Sequence, residues 1–206
     1  MLVGMSHFFH INIFTLARTL GYTGLFVVIF LESGVVFGFF LPGASLLFAA
    51  GIIASQGSLN MWVLVPLLGL AAILGDNAGY WFGAKTGPAI FRYENSFWFN
   101  KKNIDRAENF YKKYGPQTII LARFVPMVRT FVPILAGVGK MKYRTFFSYN
   151  VIGGILWAIG VTFAGYFLGT EFPGIDRYLP LIVLIIILLT SLPLLRGLHI
   201  FKSSKE

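Results

Sequence analysis

The sequence predicts an all-α polytopic membrane protein, and three observations carry that prediction. Its composition is 56% hydrophobic and only 12% charged over 206 residues, with a mean hydropathy of +0.74, far from the average of a soluble domain. Its apolar residues form runs long enough for bilayer-spanning helices. Two of those runs are interrupted by Pro and Gly in a way that calls for broken, re-entrant elements.

Residues 1–20 mix polar and apolar side chains, with His7 and His10 ahead of Ile11, Ile13, Phe14, Leu16 and Ala17. This pattern suits an interfacial helix. Residues 21–55 form an apolar run whose one charge is Glu32. As a straight helix it would reach about 52 Å, against a hydrocarbon core of about 30 Å, too long for one span and short for two. Phe39-Phe-Leu-Pro-Gly43 marks the break, because the residue before a proline avoids the helical region and glycine accepts unusual backbone angles. One crossing is expected over about 21–37 and a re-entrant half-helix within 39–55.

A polar turn at 56–60 leads to a second crossing over 61–82, with Trp62 at one end and Tyr80-Trp81 at the other as interfacial anchors. Residues 85–115 are hydrophilic, with Lys85, Arg92, Lys101, Lys102, Arg106, Lys112 and Lys113 set against Glu94, Asp105 and Glu108. Ile104, Ala107, Phe110, Tyr111 and Tyr114 fall at helical spacing there, which predicts a helix lying on the membrane. A crossing over 146–169 and a nearly featureless one over 179–195 complete the domain at 21–197, followed by a tail at 198–206.

Residues 117–138 concentrate the unusual chemistry. Ile119-Ile-Leu-Ala-Arg-Phe-Val-Pro-Met-Val-Arg-Thr-Phe-Val-Pro-Ile-Leu-Ala-Gly137 is apolar yet carries Arg123, Arg129, Pro126 and Pro133. An arginine at mid-membrane depth costs about 2.5–3.5 kcal/mol on insertion scales, so two in one segment call for anionic partners. Each proline frees a carbonyl, which lipid tolerates only where protein or water satisfies it. The segment is therefore expected to be re-entrant, with Pro126, Pro133 and Gly137 as its breaks and hinges, as Pro42 and Gly43 are those of the first element. A re-entrant path also places both flanking basic loops on one side. Fourteen of seventeen basic residues then face the cytoplasm, as do both termini.

Phe39-Phe-Leu-Pro-Gly followed by Ala49-Ala-Gly51 is echoed by Thr130-Phe-Val-Pro133 followed by Leu135-Ala-Gly137. Two such copies entering from opposite faces make an inverted repeat, the architecture in which substrate binds between broken helices near the midplane. The expected fold has two re-entrant hairpins plus three to four full crossings.

The guanidinium fork matches phosphate oxygens and stays charged at any relevant pH, so Arg123 and Arg129 are the candidates for holding a lipid phosphate. The alternative is structural pairing with Glu32 and Asp76, two cations against two anions. Glu32 is the candidate for proton exchange, alternating between a neutral and an arginine-paired state, with Asp76 second. Gly75, Gly79 and Gly83 suit close helix packing, Asn150 suits an interhelical hydrogen bond, and Trp157 suits an interface or a cavity wall. There are no cysteines, and His7, His10 and His199 lie near the ends of the sequence. A Cys or His nucleophile and a thiolate or His-rich metal site are excluded on that basis. The expected protein is not an enzyme and needs no cofactor or metal. The net charge of +9 is assigned to anionic lipid and cytoplasmic loops rather than nucleic acid. The oligomeric state is left open, and no cleaved signal peptide is expected, because no arginine-rich n-region with a small-residue cleavage site opens the sequence.

Glu32-Ser-Gly34, Phe40-Leu-Pro-Gly43, Gly75-Asp76 with Tyr80 and Gly83, and the Arg123 to Pro133 motif together resemble the DedA family. That family is the bacterial branch of a superfamily that includes eukaryotic SNARE-associated Golgi and lipid scramblase proteins. Ala136-Gly137, Tyr149-Asn150, Trp157 and Gly165-Tyr166 extend the resemblance over about residues 20–170. It implies two inverted re-entrant hairpins in a small bundle of a bacterial inner membrane. It also implies transport of lipid phosphates, notably undecaprenyl phosphate returned between leaflets, with other members moving phosphatidylethanolamine. Glu32, Arg123 and Arg129 match functional positions of the family. The family commonly has an acid after Pro-Gly, where this chain has Ala44. If coupling to protons uses two carboxyls, Glu32 or Asp76 suffices here, or transport is uncoupled and the protein is a scramblase. A membrane lipid phosphatase is the alternative from a different class.

Overall fold

A computed structural model describes residues 13–34, 43–90, 114–124 and 126–172. The expected last crossing at 179–195, the tail, the basic helix around 104–113 and Pro42 lie outside the described residues. All regular structure among the described residues is helical. The helices are α1 (Ile13–Gly34), α2 (Gly43–Ser55), α3 (Met61–Ile90), α4 (Thr118–Ala122), α5 (Pro126–Val138) and α6 (Tyr143–Glu171).

Two of these are long and apolar enough to cross a bilayer, at Met61–Thr86 and Tyr143–Glu171. Helix α3 runs past the expected end at Phe82, because Ala84 and Lys85 favour helix as much as the apolar residues before them; loss of hydropathy is not a helix stop. Helix α1 is helical on both sides of Gly21, where φ is 56° and ψ is −162°, a backbone that only glycine adopts readily. The kink falls where the polar N-terminal stretch meets the apolar run.

Helices α2 and α5 have 13 residues each, about 20 Å, too short to cross. Ser55 leads directly through the 56–60 turn into α3, with Asn60 Oδ1 accepting from the Trp62 N–H at 2.9 Å. Helix α4 stops at Ala122, and Arg123 and Phe124 form a turn ahead of α5. Pro126 opens α5, a position whose N–H has no helical partner in any case. The break in this segment therefore lies at Arg123 to Pro126. Pro133, expected as a break, sits inside the continuous helix α5. There it removes one backbone hydrogen bond without ending the helix, which neighbouring helices make tolerable.

Ile119 of α4 and Val132 and Ala136 of α5 share one buried cluster with Tyr80 and Phe146. The α4–α5 segment thus packs on the end of the bundle around Tyr80. Tyr80 fixes that end, stacking on Phe146 at 4.5 Å between ring centroids and donating its hydroxyl to the Met141 carbonyl at 2.6 Å. The larger cluster, around Leu46, Leu47, Ile52, Ile53, Leu64, Leu68 and Trp157, occupies the other end.

Glycines set the helix contacts, and they do so twice in the same way. Helix α2 packs on α6, and α5 packs on α3. A Cβ on Gly51 would collide with the Thr162 carbonyl and the Tyr166 amide, and one on Gly137 would collide with the Tyr80 carbonyl and the Ala84 amide. In return, Gly165 abuts the Phe48 carbonyl and Gly83 the Ile134 carbonyl. Each short helix thus meets its long partner backbone to backbone. Gly34 and Gly75 do the same where α1 crosses α3, a Cβ on Gly34 lying 2.7 Å from the Gly75 carbonyl oxygen.

The polarity of the bundle is inside out. The outer faces of α3 and α6 carry Trp62, Val63, Leu70, Leu74, Trp81, Phe82, Ile152, Ile155, Leu156, Ile159 and Phe167, all exposed, with Trp62 at 86%. Glu32, Asp76, Asn77, Arg123, Arg129, Asn150 and Thr162 are buried. An apolar surface this continuous marks a membrane-facing protein, and intramembrane charges face the bundle interior.

Candidate functional site

The buried charges gather at mid-depth. Trp157 stands halfway along α6, and the Arg129 guanidinium carbon lies 4.1 Å from its ring centroid. Asp76 lies near the middle of the apolar span of α3. Arg123 comes from the turn between α4 and α5, Arg129 from the first turns of α5, and Glu32 from the end of α1 next to the Gly34–Gly75 crossing. The sequence-predicted residues Glu32, Asp76, Arg123 and Arg129 therefore converge, with Gly43 beside them. Pro133 and Gly137 lie apart, on the contact with Gly79 and Tyr80. Pro126 opens the helix that carries Arg129.

The four charges form two ion pairs of different quality. Arg123 pairs with Asp76 and also donates to the Asn150 side-chain carbonyl, all three groups being buried. Asn150 is oriented by its own amide, which donates to the Ile73 carbonyl at 3.1 Å. Gly153 and Gly154 make room for the arginine, a Cβ on Gly153 falling 3.0 Å from Arg123 Cδ. The second pair is looser. Arg129 Nη2 lies 3.3 Å from Glu32 Oε2, and neither atom has a hydrogen-bond partner among the described residues. Their side chains are 7% and 8% exposed, so both are desolvated. The structural pairing that the sequence offers as an alternative to phosphate binding is thus the arrangement seen, tight for Arg123 and loose for Arg129.

A third group completes the site. Helix α2 begins at Gly43, and the Glu32 carboxylate lies directly against it, where a Cβ on Gly43 would fall on Glu32 Oε2. The first four N–H groups of a helix lack helical partners and carry its positive dipole end. Helix α2 runs from this point towards Gly169, whereas α5 runs from Arg129 towards Ala84. Two short helices therefore begin near the buried charges and lead to different ends of the bundle. Arg129, the α2 terminus and the Trp157 face thus surround the Glu32 carboxylate in a water-poor setting.

Trp157 and Gly43 matter more here than their sequence context indicates. The signal for Gly43 is its position after Pro42; the signal for Trp157 is only an aromatic in an apolar helix, which packing explains equally well.

Residues 41–167 match the VTT domain family model. Protein DedA of Escherichia coli K12 is 47% identical over 174 residues, covering 84% of this chain and 79% of that protein. An uncharacterized membrane protein of Mycobacterium leprae is 44% identical over 181 residues, covering 87% of this chain and 81% of the relative. The inner membrane protein YqjA of E. coli K12 is 32% identical over 148 residues, covering 72% and 67%. No solved structure matches the chain. With a buried arginine motif, an apolar exterior and these relatives in agreement, the chain belongs to the VTT-domain, or DedA, family of membrane proteins.

Proposed function

We propose that this protein is a transporter that moves a lipid phosphate, with undecaprenyl phosphate as the first candidate, between the leaflets of a bacterial inner membrane. The observation that supports the reading is Arg129: a guanidinium buried at mid-depth, stacked on Trp157, with a nitrogen lacking a hydrogen-bond partner among the described residues. Such a residue is costly in a bundle and suits a phosphate that arrives as cargo. Arg123, held by Asp76 and Asn150, maintains the positive potential and keeps the α4–α5 turn in place. The acyl or prenyl tail stays in lipid, so only the headgroup needs a polar path.

Glu32 exchanges the coupling proton, being the carboxylate that meets the cargo-binding arginine; Asp76 serves as a fixed counter-ion. The two half-helices, related as an inverted repeat, gate the seat towards alternate faces. The basic residues at Lys85 and at Lys140 to Arg144 lie on the cytoplasmic side, and both termini share it.

The test is leaflet-resolved transport of undecaprenyl phosphate in proteoliposomes, with and without a pH gradient, comparing wild type with Arg129→Ala. Transport that follows the gradient and disappears in the variant is expected. Transport indifferent to the gradient would make the protein a scramblase, and Arg129→Ala at the wild-type rate would remove Arg129 from the mechanism. Released inorganic phosphate measured in the same vesicles tells transport from hydrolysis.

A further inference from the structure

We infer that the Glu32 carboxylate occupies the seat of a phosphate group, so that Glu32 is a built-in competitor which the cargo must displace. This rests on the phosphate-binding reading of the same site and adds how its empty form is held.

Two neighbours place Glu32 there. One is the start of α2 at Gly43, a place where anions bind without further help. A Cβ on Gly43 would fall on Glu32 Oε2, so the carboxylate lies directly against the backbone of the helix end. On its other side stands Arg129, with Nη2 at 3.3 Å and without a hydrogen-bond partner among the described residues. Glu32 is thus close enough to both groups to neutralise them, but it does not meet Arg129 Nη2 with hydrogen-bond geometry. Asp76, the other carboxylate in the neighbourhood, is held by Arg123, which leaves Glu32 as the anion at this helix end among the described residues.

A phosphate monoester offers more to the same groups. It brings three oxygens and a second charge, enough to take the guanidinium fork and the α2 N–H groups at once. A carboxylate on a fixed helix offers only two oxygens. Replacing Glu32 by the phosphate therefore exchanges a loose pair for a full set of charge-assisted hydrogen bonds. Filling the seat with an internal acid also explains how a bare arginine persists at mid-membrane without cargo.

The test is equilibrium binding of dioctanoyl phosphatidate, and separately of inorganic phosphate, to the purified full chain in micelles by isothermal titration, with dioctanoylglycerol as the uncharged reference. Glu32→Gln, which keeps the shape and removes the charge, is expected to bind phosphatidate about tenfold more tightly than wild type, the scale of one charge-assisted contact. Glu32→Asp, which retracts the carboxylate while keeping the charge, is expected to fall between the two, and it carries the test if the glutamine variant does not fold. Unchanged or weaker binding in these variants overturns the competition. Arg129→Gln separates the two readings: if it weakens phosphatidate binding while Glu32→Gln fails to strengthen it, the phosphate seat stands without a competitor; if it binds like wild type, the phosphate seat itself falls. A gain shared by inorganic phosphate supports recognition of the headgroup alone, and a gain confined to phosphatidate supports a lipid-lined seat.

Discussion

Removing Asp76 isolates the energetics of the tight pair. In the wild type Arg123 Nη2 is held by Asp76 and Asn150, while its Nε has no partner. Asp76→Ala leaves one neutral acceptor for a buried guanidinium. Breaking a buried pair from one side costs about 3–5 kcal/mol, because the surviving charge is uncompensated. That corresponds to about two to three and a half orders of magnitude in the unfolding equilibrium. Asp76→Asn, which keeps an acceptor oxygen, is expected to cost less. Asp76→Ala combined with Arg123→Met is expected to recover most of the loss, since it removes the stranded charge and refills its volume. Equilibrium unfolding in mixed micelles, followed by circular dichroism, measures all four proteins. If Asp76→Ala unfolds at the wild-type midpoint, or the double variant is no better than the single, then Arg123 is not a buried charge dependent on Asp76 and its positioning role is wrong.

Other outcomes follow from the same contacts. Gly51→Ala and Gly137→Ala are each expected to cost about 1–3 kcal/mol in that assay by forcing paired helices apart, whereas Gly160→Ala, with nothing within 4 Å, is expected to be neutral or slightly stabilising. A large difference between the first two would mean that the two half-helix contacts are not equivalent. Trp157→Leu removes the ring beneath Arg129, and a desolvated cation–π contact is worth about 2 kcal/mol; phosphatidate affinity is expected to fall by up to about thirtyfold. Trp157→Phe is expected to restore much of it, and equal affinity in both variants would reduce Trp157 to a packing residue.

Much of the site was legible because charge in an apolar segment has few explanations. Glu32, Asp76, Arg123 and Arg129 stand out against their neighbours by cost alone, and Pro126 announces the break by removing an N–H. The pairing was not legible: two acids and two arginines allow two matchings, and only the helix packing assigns Asp76 to Arg123. Pro133 misled because a proline shows where a backbone bond is missing, not whether the surrounding helices hold the turn together without it. The end of α3 misled in a related way, since hydropathy stops at Phe82 while helix propensity does not. Gly43 was visible as a break, but its second role, leaving space for the Glu32 carboxylate, depends on a contact between helices that no local pattern encodes.

The glycine contacts have a consequence for how the chain can be divided. The short helix α2 beds on α6, and the short helix α5 beds on α3, so each half of the polypeptide holds the cradle for the other half's short helix. A fragment ending within 91–113 would carry α2 with no floor beneath it and α3 with a bare groove. Two such fragments, made separately, would complete one another by trading helices, and neither would be a working half.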